Sequence, residues 1–210
     1  MVRYVFKHLT SHDQSFEYEV KKNEVLNLVL FANETADYTA RIRLVEPESS
    51  ANIYGIILGE GTGEVHLKTF QEHVSPHTTS NLLVKSALMG RSIFTYEGTI
   101  VVHKDAQLTD AYQRNENLML SSEAKAETKP ALEILANDVR CTHSATIGKI
   151  DNEQLFYLMS RGVDAFLAQQ LIVEGFFAPL LEKIMDQKIK AQLENEISSL
   201  VGLTRSQMVQ

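Results

Sequence analysis

Between Leu26 and Ile150 the chain is a succession of short apolar runs separated by polar turns. Leu26–Phe31, Tyr38–Val45, Ile53–Leu58, Val65–Phe70, Leu82–Leu88, Ile93–Tyr96 and Ile100–His103 come first, and Leu118–Leu120, Leu132–Leu135 and Val139–Ile147 follow. Several runs alternate: Arg43 separates Ile42 from Leu44, and His66 separates Val65 from Leu67. Successive strand side chains point to opposite faces, so this period of two predicts half-buried strands. Gly59, Gly61, Gly63, Gly90, Gly98 and Gly148 lie between or beside the runs, where tight turns need them. The region therefore reads as all-β. Strand count leaves sandwich and solenoid both open. The close spacing of the runs, and the absence of Asn-Gly or Asp-Gly dipeptides, lean toward a solenoid. The first 25 residues read as a lead-in strand with a polar connection, and Ser121–Lys129 reads as an exposed surface loop.

Beyond Ile150 the period changes. Asp151 with Gln154 forms a capping-box-like start for a helix over Glu153–Ser160 that stops at Gly162. Asp164 opens a second helix with Leu167, Leu171, Ile172, Phe176, Leu180, Ile184 and Ile189 along one face. Pro179 is expected to kink or split it. From Lys188 to Gln210 a charged helix carries Ile189, Leu193, Ile197 and Leu200 on one stripe, with its end expected to fray from Thr204. The division that follows is a β-domain over residues 1–150 and a helical segment over 151–210.

Composition narrows the function. Apolar residues make up 44 % of the 210 positions and charged residues 22 %, and the formal charge is −7. Nucleic acids and anionic membrane surfaces reward clustered Lys and Arg, so neither is the expected partner. The N-terminal MVRYVFKHLT lacks the apolar length of a signal peptide, and no apolar run approaches the roughly 18 residues of a membrane span. Cys141 is the single cysteine, which excludes an internal disulfide and fits a reducing, cytoplasmic setting. One thiol also restricts metal chemistry, because a structural zinc or an iron–sulfur cluster wants about four ligands.

The sharpest chemical feature is Cys141 and His143 within VRCTHSATIGKID. Two apart on a strand, they share a face, which suits them to hold a metal ion or to place an imidazolium beside the thiol. Val139, Ala145 and Ile147 share that face too, so on spacing alone the simpler reading of the pair is core residues with a satisfied imidazole. His66, His73 and His77, with Glu72 between, form a looser group. Ser75-Pro76 argues against a helical metal pair, and exposed strand and turn histidines are the simpler reading. A metal-dependent enzyme would require those histidines, or Cys141, to converge in space. His103 closes an apolar strand as a core-edge residue. No phosphate-binding loop, HExxH pattern or nucleophile elbow is present. Leu171–Phe177 and Leu180–Met185 leave apolar helix surface available for another protein.

From about Thr79 to Glu182 the sequence resembles the core of the SufB/SufD family of iron–sulfur cluster assembly scaffolds, in its SufD-like form. The resemblance is carried by FTYEGTIVVHKDAQLTDAYQRNENLMLS, PALEILANDVRCTHSATIGKID and EQLFYLMSRGVDAFLAQQLIVEGF, in the family's order. It implies a right-handed parallel β-helix followed by C-terminal α-helices. The implied role is a scaffold rather than an enzyme, which pairs through its β-helix with a SufB-like partner or with itself. A SufC-type ABC ATPase would bind the C-terminal helices. It also implies a transient iron–sulfur cluster, with His143 the leading ligand and Cys141 its neighbour. The family usually reads Cys-Ser-His-Gly-Ala-Thr where this chain reads Cys-Thr-His-Ser-Ala-Thr, and family members are commonly about twice as long. A purely structural paralogue, which keeps the docking helices without cluster chemistry, is the remaining alternative.

Overall fold

The computed structural model describes residues 1–10 and 14–207, with side chains described up to residue 200. Eleven strands come first: β1 (Val2–Leu9), β2 (Gln14–Val20), β3 (Val25–Ala32), β4 (Ala36–Leu44), β5 (Ser50–Gly59) and β6 (Glu64–His73), then β7 (Thr79–Leu88), β8 (Ile93–Val102), β9 (Thr109–Met119), β10 (Lys125–Ile134) and β11 (Val139–Lys149). Odd strands form one parallel sheet in the order β1-β3-β5-β7-β9-β11, and even strands form the other, β10-β8-β6-β4-β2. The chain alternates between them, so each coil contributes one strand to each sheet. This is the parallel β-solenoid that the resemblance implied. Val25 pairs with Ser50, Ser50 with Thr79, and Thr79 with Asp110, so equivalent side chains stack in rows along the axis. The turns from the even to the odd sheet repeat a left-handed residue at Asn23, Glu48, His77 and Leu108, all with φ near +60°. None is glycine, which hides the repeat from sequence inspection.

Two sequence expectations are corrected. The first 25 residues hold two strands rather than one, because β1 and β2 already form a coil. Lys125–Lys129 is strand rather than surface loop. Its polar residues alternate with half-buried Ala126 and Thr128, the signature of an edge strand with one face turned in.

Between the sheets lies a core that includes Leu28, Leu30, Tyr38, Ile42, Ile53, Leu67, Leu82, Phe94 and Tyr96. The outer face of the odd sheet is also buried over β3, β5 and β7, because three helices follow and two of them fold back on it. Those helices are α1 (Asn152–Ser160), α2 (Ala165–Leu181) and α3 (Gln187–Gln207). Val29, Phe31, Tyr54, Ile56, Leu58 and Ala87 meet Val173, Phe177, Leu180, Leu193, Ile197 and Leu200 in a second core. Two-sided burial explains why VLNLVLFA and NIYGIILG read as nearly continuous apolar runs. Asp151 and Asp164 cap α1 and α2 through their side chains. The helix that the sequence pattern ran to Ile189 divides just after Pro179, which sits in the last turn of α2, and Ile189 belongs to α3. Ile184 therefore lies in the connection between helices while still reaching the second core. The expectation for the chain end from Thr204 extends onto residues 208–210, outside the described set. No described helix is long and apolar enough to cross a membrane.

Toward β9 the interior turns polar. Gln71 donates to Gln113, Gln113 to the Gly98 carbonyl, Asn117 to Asn115 and Ser86 to Asn117, so the buried amides form a chain in which Gln71 Oε1 is left without a partner. Gly98 permits this. A Cβ there would stand 2.6 Å from Gln113 Cδ and against the Tyr96 hydroxyl. His73, read in sequence as an exposed strand residue, is fully buried and bonded at both ring nitrogens, to Thr78 and Ser80.

Two tests follow. Gly98→Ala should lower unfolding stability by about 1–3 kcal/mol, the range for overpacked cores, in chemical denaturation. Burial pushes the His73 pKa from 6.5 down to about 4, against a smaller opposing pull from Asp110. Between those values the unfolded chain takes up a proton that the folded chain refuses. Stability is therefore full above pH 6.5 and declines on acidification, by about 3 kcal/mol at pH 4 from this residue. Denaturation curves against pH should show that slope, and His73→Gln should flatten it; parallel curves for the two proteins would refute the assignment.

Candidate functional site

Cys141 and His143 lie on β11, the outermost strand of its sheet. Register pairs Cys141 with Ala111 and His143 with Gln113, and both partners face the solenoid interior. Ala145 and Ile147 continue the row over Asn115 and Asn117. Across from them β10, outermost in the other sheet, sets Leu132 over Ile100 and Ile134 over Val102. In an inner coil these side chains would be covered by the next coil. Here Leu132 is 38 % exposed, Ile134 39 % and Ile147 51 %. The last coil is thus an open mouth, apolar at its rim and lined on one side by a thiol and an imidazole.

The two members of the pair differ in environment. Cys141 is half-buried and packs on a small cluster of Ile100, Val102, Ala106, Ala111 and Ala136. His143 is exposed. The core reading therefore describes Cys141 in part and fails for His143. Burial pushes the thiol pKa up, partly offset by a hydrogen bond from the Ala111 backbone, while Asp110 adds to the rise. Burial thus works against the thiolate that the sequence reading allowed beside an imidazolium. A soft metal ion would supply the missing driving force by displacing the proton. Asp110 itself is held by Arg140, at 3.0 Å from Nε. Ser144 lies on the opposite face of the strand, paired with Arg114, and does not crowd the mouth. Among the described residues no three His, Cys, Asp or Glu side chains gather to hold a metal ion.

The other histidines do not converge on this pair or on each other. His73 is sealed in the interior, whereas His66 stands on the outer face of the even sheet in register with Asp37 and Thr95. His77 occupies a left-handed turn position. His103 is 3.0 Å from Glu72, which also pairs with Arg41 and Arg43. Those cations and the His103 hydrogen bond outweigh burial and hold the Glu72 carboxyl below its usual range.

A second feature lies on the helices. Nothing in α1 is buried; Phe156 is 73 % exposed, with Tyr157 and Met159 beside it, and Leu167 and Leu171 of α2 are exposed nearby. A groove runs along α1 from Asp151 to Ser160 and is closed on one side by Ile172. Sequence reasoning placed the spare apolar surface at Leu171–Phe177 and Leu180–Met185; Leu171 and Met185 are exposed, but Phe177, Leu180 and Leu181 are consumed by the second core. The larger free surface belongs to α1, whose short apolar segment gave no signal of being unpacked. The rim residues Leu132, Ile134 and Ile147 were likewise readable as strand core, because only the topology reveals that no coil covers them.

Comparison with known proteins gives this geometry its context. The family model for the SufBD core domain of SUF-system FeS cluster assembly matches residues 11–176. The iron-sulfur cluster assembly protein SufD of Escherichia coli is 40 % identical over 126 residues, which is 60 % of this chain and 30 % of that protein. A SufBD family iron-sulfur cluster assembly protein of Mycobacterium leprae is 30 % identical over 186 residues, 85 % of this chain and 47 % of its own length. Another SufBD family protein, from Synechocystis, is 34 % identical over 143 residues, covering 68 % of this chain and 31 % of that protein. The chain spans less than half the length of these relatives. The match covers β11, its Cys141–His143 pair, α1 and most of α2, and on it the chain belongs to the SufBD family of SUF-type iron–sulfur cluster assembly components.

Proposed function

We propose that this chain is a non-enzymatic scaffold, which pairs through the open coil formed by β10 and β11 and contributes Cys141 and His143 to a cluster completed by the paired subunit. The observation that carries the reading is the uncovered last coil, where an apolar rim and two unpaired strand edges surround the two donors. Free backbone edges and exposed rim side chains both gain from a second coil set against them. The partner is a SufB-like chain or a second copy. In the latter case two thiols and two imidazoles meet the usual ligand number of about four. The β1–β2 coil presents charge instead: Lys7 sits 4.6 Å above the Phe16 ring, and Arg3 pairs with Glu24 at 3.0 Å. That contrast favours association through the β10–β11 coil. The cluster is cargo here, built and passed on. The exposed surface of α1, with its groove, supports docking of an ABC-type ATPase on the helices.

Three measurements test this. The chain should sediment as a dimer, or co-purify with a SufB-like partner. Ile147→Asp should shift it to monomer with its thermal melting intact, and a monomeric parent chain with no such partner would end the pairing idea. Anaerobic reconstitution with iron and sulfide should give about one cluster per pair, and both Cys141→Ser and His143→Ala should abolish its visible absorption. Retained pairing without any bound iron would favour the purely structural paralogue. Substituting alanine at Phe156 and Tyr157 together should abolish capture of the ATPase while leaving pairing unchanged.

A further inference from the structure

Beside the helix layer, on the outer face of the odd sheet, register stacks Tyr4, Asn27, Asn52, Asn81 and Tyr112 in one row. Asn52 donates to Asn27 at 3.0 Å, whereas Asn81 is exposed and makes no side-chain hydrogen bond among the described residues. The next row brings Tyr54, Leu83 and Arg114 alongside. A groove forms where the two rows meet Lys183, in the connection between α2 and α3; Asn52, Tyr54, Asn81, Tyr112, Arg114 and Lys183 line it.

Three observations point to what it takes. First, Tyr54 lines the groove with its ring packed in the second core, and its hydroxyl makes no protein hydrogen bond among the described residues while not being sealed from solvent. A tyrosine with its ring buried and its hydroxyl open to solvent presents a free donor at that point. Burial raises the Tyr54 pKa, and nearby Tyr4 adds to the rise, so it remains a donor. Second, no acidic side chain lines the groove, while Arg114 and Lys183 do. Glu116, which bonds Arg114, is also held 2.8 Å from the buried Lys85, so its charge is already matched. The groove is therefore locally cationic on a chain whose net charge is −7. Third, the amide of Asn81 and the hydroxyl of Tyr112 add two more donors to the same wall. Donors of four kinds with no carboxylate among them suit an acceptor-only group. We infer that this groove binds a small oxyanion, a carboxylate or phosphate, with Arg114 and Lys183 supplying charge and Tyr54 and Asn81 supplying directed hydrogen bonds. The site is separate from the Cys141–His143 mouth, and the inference does not rest on the scaffold reading.

Isothermal titration of the full chain with inorganic phosphate and, in a second arm, with citrate tests it and distinguishes the two oxyanion chemistries. Glucose serves as the uncharged control. At least one anion should bind, more weakly as sodium chloride is raised, and glucose should not. Lys183→Gln, at an exposed position, and Tyr54→Phe, which removes one oxygen, should each weaken binding about tenfold or more. Lys68→Gln on the other sheet should leave it unchanged. Absence of binding by either anion, or equal binding by the Lys183 and Tyr54 variants, would overturn the assignment.

Discussion

A parallel coil satisfies its backbone only through its neighbours. Every strand hydrogen-bonds to the strand one coil before and one coil after, so stability is passed along the axis and interrupted only at the ends. The in-register pairing of Val25 with Ser50, Thr79 and Asp110 is this constraint in its plainest form. It fixes which side chains stack, sets Cys141 over Ala111 and His143 over Gln113 on one face of β11, and leaves β10 and β11 with one unpaired edge each. The site and the exposed rim are two consequences of the same fact.

The thinness of the solenoid has its own consequence. With one strand per sheet per coil, a two-sheet stack buries only the side chains between the sheets, and the outer face of β3, β5 and β7 remains strongly apolar. α2 and α3 cover it, and Lys85 fixes how they sit. Its ammonium is 2.8 Å from Glu116 and 2.6 Å from the Phe176 carbonyl, and lies 4.4 Å from the centre of the Phe176 ring. A buried ion pair adds little net stability against an apolar substitute, because desolvation offsets attraction. Its directed contacts nonetheless favour one placement of α2 over others that would bury similar apolar area. The helix layer and β9, the strand that carries β11, are thereby joined in one rigid arrangement.

Period-two alternation made the strands of the even sheet legible, and Asp151, Gly162 and Asp164 made the helix limits legible. What stayed hidden has physical causes. Left-handed turn positions occupied by Asn23, Glu48, His77 and Leu108 share no residue type, so the repeat leaves no motif. Lys125–Lys129 looked like a loop because an edge strand exposes its charged face and buries only Ala126 and Thr128 partway. His73 looked exposed because a histidine among polar neighbours is ordinary on a surface; only the fold turns Thr78 and Ser80 inward to receive it. The Cys141–His143 pair was visible by spacing, but whether it faced core or opening depends on the number of coils beyond it, which local pattern does not encode.

The same dependence bears on how such a site would work. Two donors on one chain, one of them a half-buried thiol, would hold a metal weakly, since the thiol proton must be displaced and half the coordination shell is missing. A centre divided between two chains would draw its affinity from the pairing itself, because each subunit raises the effective concentration of its donors for the other. Any event that parted the open coils would then lower the affinity for the cluster without chemistry at the ligands, by linkage alone. A stable resident cofactor calls for a closed set of ligands in one fold; a cargo that must be surrendered is better served by a set that exists only while two apolar rims remain in contact.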